Sequence, residues 1–204
     1  MNRVAPENGT VKFQKNIVTD GFIPDDILLA QISSGNLAAW EIIIDRHLAA
    51  VSRYAAYILG DIGQSEDVAQ ETFIRLMKKA HTWEPGEATL KAWLFKVTRN
   101  LCIDHKRKKR TDPIETAYDL LDPNDNNTTD RRIDIANIVK TALGLLPERQ
   151  KTAIVLVHYE GFSGAETAEL LDISVEAVES LLARGRRNLR QTLQPHAIEF
   201  LGER

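Results

Sequence analysis

The stretch GAETAELLDISVEAVESL at residues 164–181 determines the fold of the second half of the chain. Its apolar positions recur at the spacing of amphipathic helices and are interrupted at Asp172. The turn needs a residue that tolerates positive φ, and aspartate is a less common but permitted choice there. Ala168 supplies the small residue where two helices cross, and Ser174 can cap the second helix. The segment therefore predicts a helix-turn-helix.

The second helix of this motif carries a docking face and a cationic extension. Val175, Val178 and Leu181 are the apolar residues expected to dock it, and a series of arginines follows. Such a helix enters the major groove of DNA with its N-terminus first, while flanking cations hold phosphates. A plain helical hairpin with a solvated arginine face is the alternative. The candidate DNA contacts are Ser174, Glu176, Glu179, Ser180, Arg184, Arg186 and Arg187.

Charge distribution is more informative than the net charge of −3. Basic residues concentrate at 106–110 and again from Arg184 to Arg190, with acids between these clusters. Residues 111–130 hold six acids, no lysine or arginine, and two prolines. That composition predicts an extended acidic linker between two helical domains.

The first half of the chain also has helical periodicity, and no segment alternates as a strand does. Pro24 followed by two aspartates predicts a helix start. Gly60 and Gly63 are expected to end a helix over 37–59, and Ser65 to cap the next helix, which runs to about Ala80. A further helix is expected over 90–108. The expected inward positions are Leu37, Trp40, Ile44, Leu48, Val51, Ala55 and Ile58, then Ala69, Thr72, Phe73, Leu76 and Met77, then Leu90, Trp93, Leu94, Val97 and Leu101.

The predicted fold class is therefore all-α, with two small helical domains joined by the linker. The predicted segments are a flexible arm at 1–23, a domain at 24–110, the linker at 111–131, a second domain at 132–194 and a tail at 195–204. Helices in the second domain are expected at about 132–145, 148–159, 163–171 and 175–193.

Composition argues against several classes of protein. Cys102 is the only cysteine, so no internal disulfide can form, and the cytoplasm is the expected compartment. The histidines are scattered without ligand spacing, so no metal site is expected. No apolar run reaches the ~20 residues of a membrane span, and no export signal is visible. No phosphate-cradling loop or nucleophile with its base stands out, so neither catalysis nor a cofactor is expected.

Several motifs, in order and spacing, resemble the extracytoplasmic-function (ECF) sigma factors of bacterial RNA polymerase. The first domain has DVAQETF at 67–73, WLF at 93–95 and RNLCID at 99–104, followed by the basic run, as in region 2 of the family. LPERQ at 146–150 and YEGFS at 159–163 resemble region 4. The resemblance covers roughly residues 25–108 and 133–193.

The resemblance implies a promoter-specificity subunit that binds core RNA polymerase at its β′ clamp helices and β flap. The family docks the DVAQETF helix on the clamp helices, which here implies contacts from Asp67, Gln70, Glu71 and Ile74. That face is polar with one apolar residue, as a transient interface would be. A solvated acidic helix face has the same pattern. Phe73 is expected to be buried instead.

The resemblance further implies that the first domain reads the −10 promoter element and helps to open the duplex. Such a role needs a cationic groove and a pocket for a base turned out of the helix. The candidates are His81, Trp83, Lys91, Lys96, Arg99, Asn100, Arg107 and Lys108. Trp93 is expected in the core. The second domain would read the −35 element.

The recognition helix departs from the common family pattern. Many members have lysine or arginine where this chain has Glu179 and Leu181. Glu179 would repel phosphate but could accept a hydrogen bond from cytosine.

The resemblance also implies control by an anti-sigma factor. It suggests that the linker mimics nucleic acid, and a plain spacer is the alternative. Two other functions fit parts of the sequence: a decoy that titrates an anti-sigma factor, and an ordinary helix-turn-helix regulator.

Overall fold

The computed structural model describes residues 22–86, 88–109 and 130–196, and the regular structure of these residues is helical throughout. The all-α prediction is confirmed. Most of the predicted arm, most of the linker and the end of the tail lie outside the described residues. The elements are α1 (Asp25–Ser33), α2 (Leu37–Leu59), α3 (Ile62–Ala80), α4 (Leu90–Lys109), α5 (Asp130–Gly144), α6 (Glu148–Ile154), a π-helical turn (Val155–Tyr159), α7 (Gly164–Leu171), α8 (Val175–Leu193) and a 3₁₀ turn (Gln194–His196).

Helices α1 to α4 form an N-terminal unit in which α2 packs against α1, α3 and α4. Its core is apolar and includes the fully buried Leu28, Ile43 and Leu94. Inside it, the buried Thr72 and Thr98 hydroxyls lie 3.2 Å apart, and each donates to a carbonyl of its own helix. Donation to these carbonyls offsets the cost of burying the hydroxyls in an apolar core.

The inward face of α2 differs from the predicted stripe. Leu37 is 77% exposed and Leu48 is also exposed, whereas Ile43 and His47 are buried. Val51, Ala55 and Ile58 are buried as expected, and Trp40 and Ile44 are partly buried against the core, so the prediction is wrong at Leu37 and Leu48. A periodic apolar pattern predicts a helix, but it does not show which edge of the apolar face is buried.

Helix α3 begins earlier than predicted. Asp61, not Ser65, is the N-cap, and its carboxylate accepts a hydrogen bond of 2.9 Å from the Gln64 amide. Ser65 is buried one turn into the helix and donates to the Ile62 carbonyl. Gly63 accordingly lies inside α3, while Gly60 ends α2 at φ 75° as predicted. The prediction that Met77 belongs to the core face of α3 is wrong, since 51% of its surface is exposed.

Helices α5 to α8 form a C-terminal unit built on α6 packed against α8. Helix α5 begins at Asp130, inside the predicted linker. After Ile154 the helix widens into the π-helical turn, where the Glu160 amide donates to the Val155 carbonyl at 3.0 Å. Gly161 then reverses the chain at φ 71°, and Phe162 enters the core.

In the described part of the chain, no helix is both long and apolar enough to cross a membrane.

Candidate polymerase and nucleic-acid interfaces

One face of α3 presents the residues predicted to contact polymerase. Asp67, Gln70 and Ile74 are exposed, and 45% of the Ile74 surface is accessible. Glu71 is half-buried, and its carboxylate accepts from Arg75 at 2.8 Å. The structure therefore brings the four predicted residues together on one surface, to which the exposed Met77 adds a second apolar side chain.

Phe73 lies on the other side of this helix and is buried, as expected. The edge of its ring packs against Trp40, with ring centroids 6.3 Å apart. Phe73 therefore holds α3 against α2 and does not reach the surface that carries Ile74.

The loop before α4 is tied to α1. The Trp83 indole nitrogen donates to Asp26 at 3.2 Å, and its ring meets the Trp93 ring edge-on at 6.2 Å. His81 is exposed, with its Nδ1 atom 3.5 Å from the Ser33 hydroxyl. Trp83 and Trp93 are both only partly buried, so they form an aromatic pair at the surface. Trp93 thus belongs to the edge of the core rather than to its interior.

Helix α4 carries the remaining candidates for the −10 element, and they divide into two groups. Lys96, Asn100, Arg107 and Lys108 are exposed. Lys91 and Arg99 are half-buried because the C-terminal unit packs over them. The Arg107 guanidinium also lies 3.3 Å from Asp104, one turn earlier.

The helix-turn-helix has the geometry that its sequence predicted. Asp172 adopts φ 55° at the turn, and Ala168 is buried at the helix crossing. Ser163 and Glu166 form a reciprocal capping box at the start of α7. The Ser174 hydroxyl accepts from the Ala177 amide at 3.2 Å and so caps α8. Of the predicted docking residues, Val178 is fully buried and Leu181 is partly buried, but 40% of Val175 is exposed.

The predicted reading residues of α8 all lie on exposed surface. These are Ser174, Glu176, Glu179, Ser180, Arg184, Arg186 and Arg187. Hydrogen bonds from its own backbone amide and from Ser174 lower the pKa of Glu176, so this helix start presents a carboxylate at neutral pH. Arg184 donates to the Ser180 carbonyl at 3.1 Å, and Arg186 to His158 at 3.3 Å. The surface is acidic at its N-terminus and cationic beyond it.

Two family models match the chain. Sigma-70 region 2 matches residues 43–111, and Sigma-70 region 4 matches residues 136–189. SigL of Mycobacterium tuberculosis, an ECF RNA polymerase sigma factor, is 31% identical over 79% of this chain and 93% of its own length. The chain belongs to the ECF sigma factors.

Other relatives of this sigma factor agree with that assignment. SigE of Mycolicibacterium smegmatis is 31% identical over 80% of this chain, which spans 65% of the SigE length. SigW of Bacillus subtilis is 26% identical over 81% of this chain and 95% of its own length. The predicted family and function class are confirmed.

Two solved structures share the fold of this sigma factor. The sigma factor RpoE of Bartonella quintana, in complex with the anti-sigma factor NepR, has a TM-score of 0.65 at 25% identity. It covers 76% of this chain and 96% of its own. CnrH, in complex with the cytosolic domain of CnrY, has a TM-score of 0.61 at 29% identity and covers 84% of this chain and 97% of its own.

Sequence reasoning missed the residues of this sigma factor that join its two helical units. Phe95, Glu160 and Phe162 enter the sequence analysis only as letters of the family motifs, and Arg53 does not enter it. The available signal was weak: a glutamate and a phenylalanine flank Gly161 between two apolar helices, a place where both side chains can be buried.

Proposed function

We propose that this ECF sigma factor binds core RNA polymerase through the exposed α3 face that contains Asp67, Gln70, Glu71 and Ile74. The observation that carries the proposal is the surface itself, in which acidic and amide groups surround an accessible isoleucine. A mixed surface of this kind suits an interface that forms and dissolves, because its apolar centre is small enough to tolerate water. The β′ clamp helices are the expected partner of this face, and the β flap is the expected partner of the C-terminal unit.

The proposed division of labour follows the two units, with boundaries at 24–110 and 132–194. Helix α4 and the loop before it would read the −10 element and hold the opened strand. The exposed cations on α4 suit phosphate contacts, and Asn100 can hydrogen-bond a base edge. The Trp83–Trp93 pair offers an aromatic surface beside them, on which a base turned out of the duplex could stack.

Helix α8 would read the −35 element in the major groove. Ser174, Glu176, Glu179 and Ser180 lie in its first two turns, where a recognition helix meets base edges. Arg184, Arg186 and Arg187 follow, at the position from which cations reach the phosphate backbone. The acidic helix start favours sites that present donors, such as the cytosine amino group.

An anti-sigma factor is the proposed regulator, since the similar sigma factor RpoE of Bartonella quintana was solved in complex with the anti-sigma factor NepR. The factor would act in the cytoplasm, without a cofactor and without catalysis of its own. Within the described residues, no group of three or more histidine, cysteine, aspartate or glutamate side chains could hold a metal ion.

Run-off transcription on genomic promoter fragments tests the proposal. Core polymerase with the full chain should give promoter-specific transcripts, and core polymerase alone should not. Ile74→Asp should abolish these transcripts while duplex DNA binding persists. Met77→Asp, a matched change at the border of the same face, should weaken them less. If the chain binds an anti-sigma factor but gives no promoter-specific transcript, it is a decoy. If it binds DNA but not polymerase, it is an ordinary regulator.

A further inference from the structure

The segment from Tyr159 to Phe162 connects the two helical units. Phe162 packs edge-on against Phe95 of α4, with ring centroids 5.0 Å apart, and both rings are almost fully buried. Tyr159 lies beside Tyr57 of α2 at 6.0 Å. Aromatic pairs of this geometry stabilise packing beyond the area they bury. The C-terminal unit thus inserts one tight turn into the surface formed by α2 and α4.

Glu160 makes the polar contact at the centre of this turn. Its side chain is 3% exposed, and its carboxylate accepts from the Nε and Nη2 atoms of Arg53 at 3.3 and 3.2 Å. A buried carboxylate needs such a partner, because desolvation is costly when the charge is left alone. Arg53 itself is half-exposed, so replacing it does not open a cavity in either core.

The backbone of the same residue holds Lys91. The Lys91 ammonium donates to the Glu160 carbonyl and lies 4.7 Å from the centre of the Phe162 ring. The family resemblance predicts that this cation contacts promoter DNA, but here the carbonyl and the ring face contact it instead. These contacts leave Lys91 half-buried, so a phosphate must compete with the turn for its ammonium.

A second contact extends the cover along α4. Lys106 forms an ion pair of 2.8 Å with Glu148 at the start of α6. Between these contacts lies a cavity of about 230 Å³ whose lining includes Arg99, Ile103 and Arg149. The side of α4 that carries Lys91 and Arg99 therefore faces the C-terminal unit, while the side with Lys96 and Asn100 faces solvent.

We propose that Glu160 locks the two units together and that the locked form withholds Lys91 and Arg99 from DNA. The inference rests on the proposed role of α4 in promoter binding and names a way in which that site is regulated within the chain. DNA or polymerase that requires the free α4 face binds only open molecules. Its apparent affinity is therefore the affinity of the open form multiplied by the fraction of molecules that are open.

Distance measurements on the full chain test the lock without DNA or polymerase. Spin labels at Ala49→Cys and Gln191→Cys, in a Cys102→Ala background, report on the separation of the units; both positions are exposed and outside the contact. The parent should give one narrow distance distribution. Arg53→Glu and Glu160→Arg should each broaden it toward longer distances, and the Arg53→Glu/Glu160→Arg double variant should narrow it again.

Glu169→Arg is the matched control, because it places the same charge change on an exposed site of the same unit. It should leave the distance distribution unchanged. Circular dichroism identifies any variant that does not fold. If Glu160→Arg is such a variant, Glu160→Gln and Arg53→Glu supply the result. A broad distribution in the parent, or a narrow one in every folded variant, would overturn the lock.

Binding to a fluorescent single strand of mixed sequence tests the masking of α4. Glu160→Arg should raise the affinity by about tenfold or more, because breaking a buried ion pair shifts an equilibrium by more than that factor. The gain should disappear in the double variant and be absent from Glu169→Arg. If the units separate in Glu160→Arg but its affinity for the single strand does not rise, the masking of α4 is overturned. Absent promoter transcripts together with a working lock would count against the proposed function alone.

Discussion

Asp25 attaches the start of α1 to α2. Its carboxylate binds the Arg46 guanidinium and lies 2.8 Å from the His47 Nε2 atom. Burial on its own would raise the pKa of Asp25, but His47 and Arg46 together outweigh it and bring the pKa below its ordinary value of 3.8. The ionised carboxylate therefore contributes stability above that pH, and the contribution is lost as pH falls through the folded-state pKa.

Asp25→Asn should lower the free energy of unfolding at neutral pH by about 1–3 kcal/mol, because it leaves Arg46 and the nearly buried His47 without their charged partner. The deficit should begin to shrink below pH 3.8 and should vanish as pH falls through the lower folded-state pKa of Asp25, where the parent carboxylate also becomes protonated. Urea unfolding at neutral and acidic pH measures both effects. A deficit that is independent of pH would show that the carboxylate charge contributes nothing.

At the scale of the element, Gly185 sets the distance between α8 and α6. A Cβ atom at this position would lie 2.6 Å from the Ile154 Cδ1 atom and 3.5 Å from the Gln150 Cβ atom. Ile154 is itself buried, so it has little room to move. In an exposed helix, alanine would be better than glycine by about 1 kcal/mol. Here the close approach of the two helices reverses that preference.

Gly185→Ala should therefore destabilise the chain by about 1–3 kcal/mol through overpacking. Ile154→Val removes the Cδ1 atom alone and should cost about 1 kcal/mol by itself. The double variant should be more stable than the sum of the two changes predicts, since the clash has been removed. Thermal unfolding of the three variants tests this, and additive effects would contradict the close contact.

The helices also show which features of the fold can be predicted from the sequence alone. Asp172, Ala168 and Ser174 have the predicted positions because turn, crossing and cap requirements are local. The start of α3 was missed because two good caps compete within about one turn, and it is Asp61 that accepts from a free amide, that of Gln64. The contact of Glu160 with Arg53 joins residues 107 positions apart, and nothing local specifies such a pair.

At the scale of the whole molecule, the net charge of −3 conceals a cationic surface on α8. Arg187→Ala should reduce the slope of log affinity against log salt by about 0.9 and weaken binding of all DNA sequences equally. Glu179→Gln should leave that slope nearly unchanged and alter the sequence preference instead. Fluorescence anisotropy of polymerase complexes on promoter duplexes, over a range of salt concentrations, measures both. Equal slopes for parent and Arg187→Ala would exclude a phosphate contact at Arg187.

The π-helical turn at Val155–Tyr159 has a consequence for insertions and deletions. It holds one residue more than an α-helical turn, and each residue rotates a helix by about 100°. Deleting one residue here would turn Glu160 away from Arg53 and leave the capping box of α7 intact. A single lost codon could thus separate control from recognition, giving a factor that still folds and reads DNA but no longer holds itself closed.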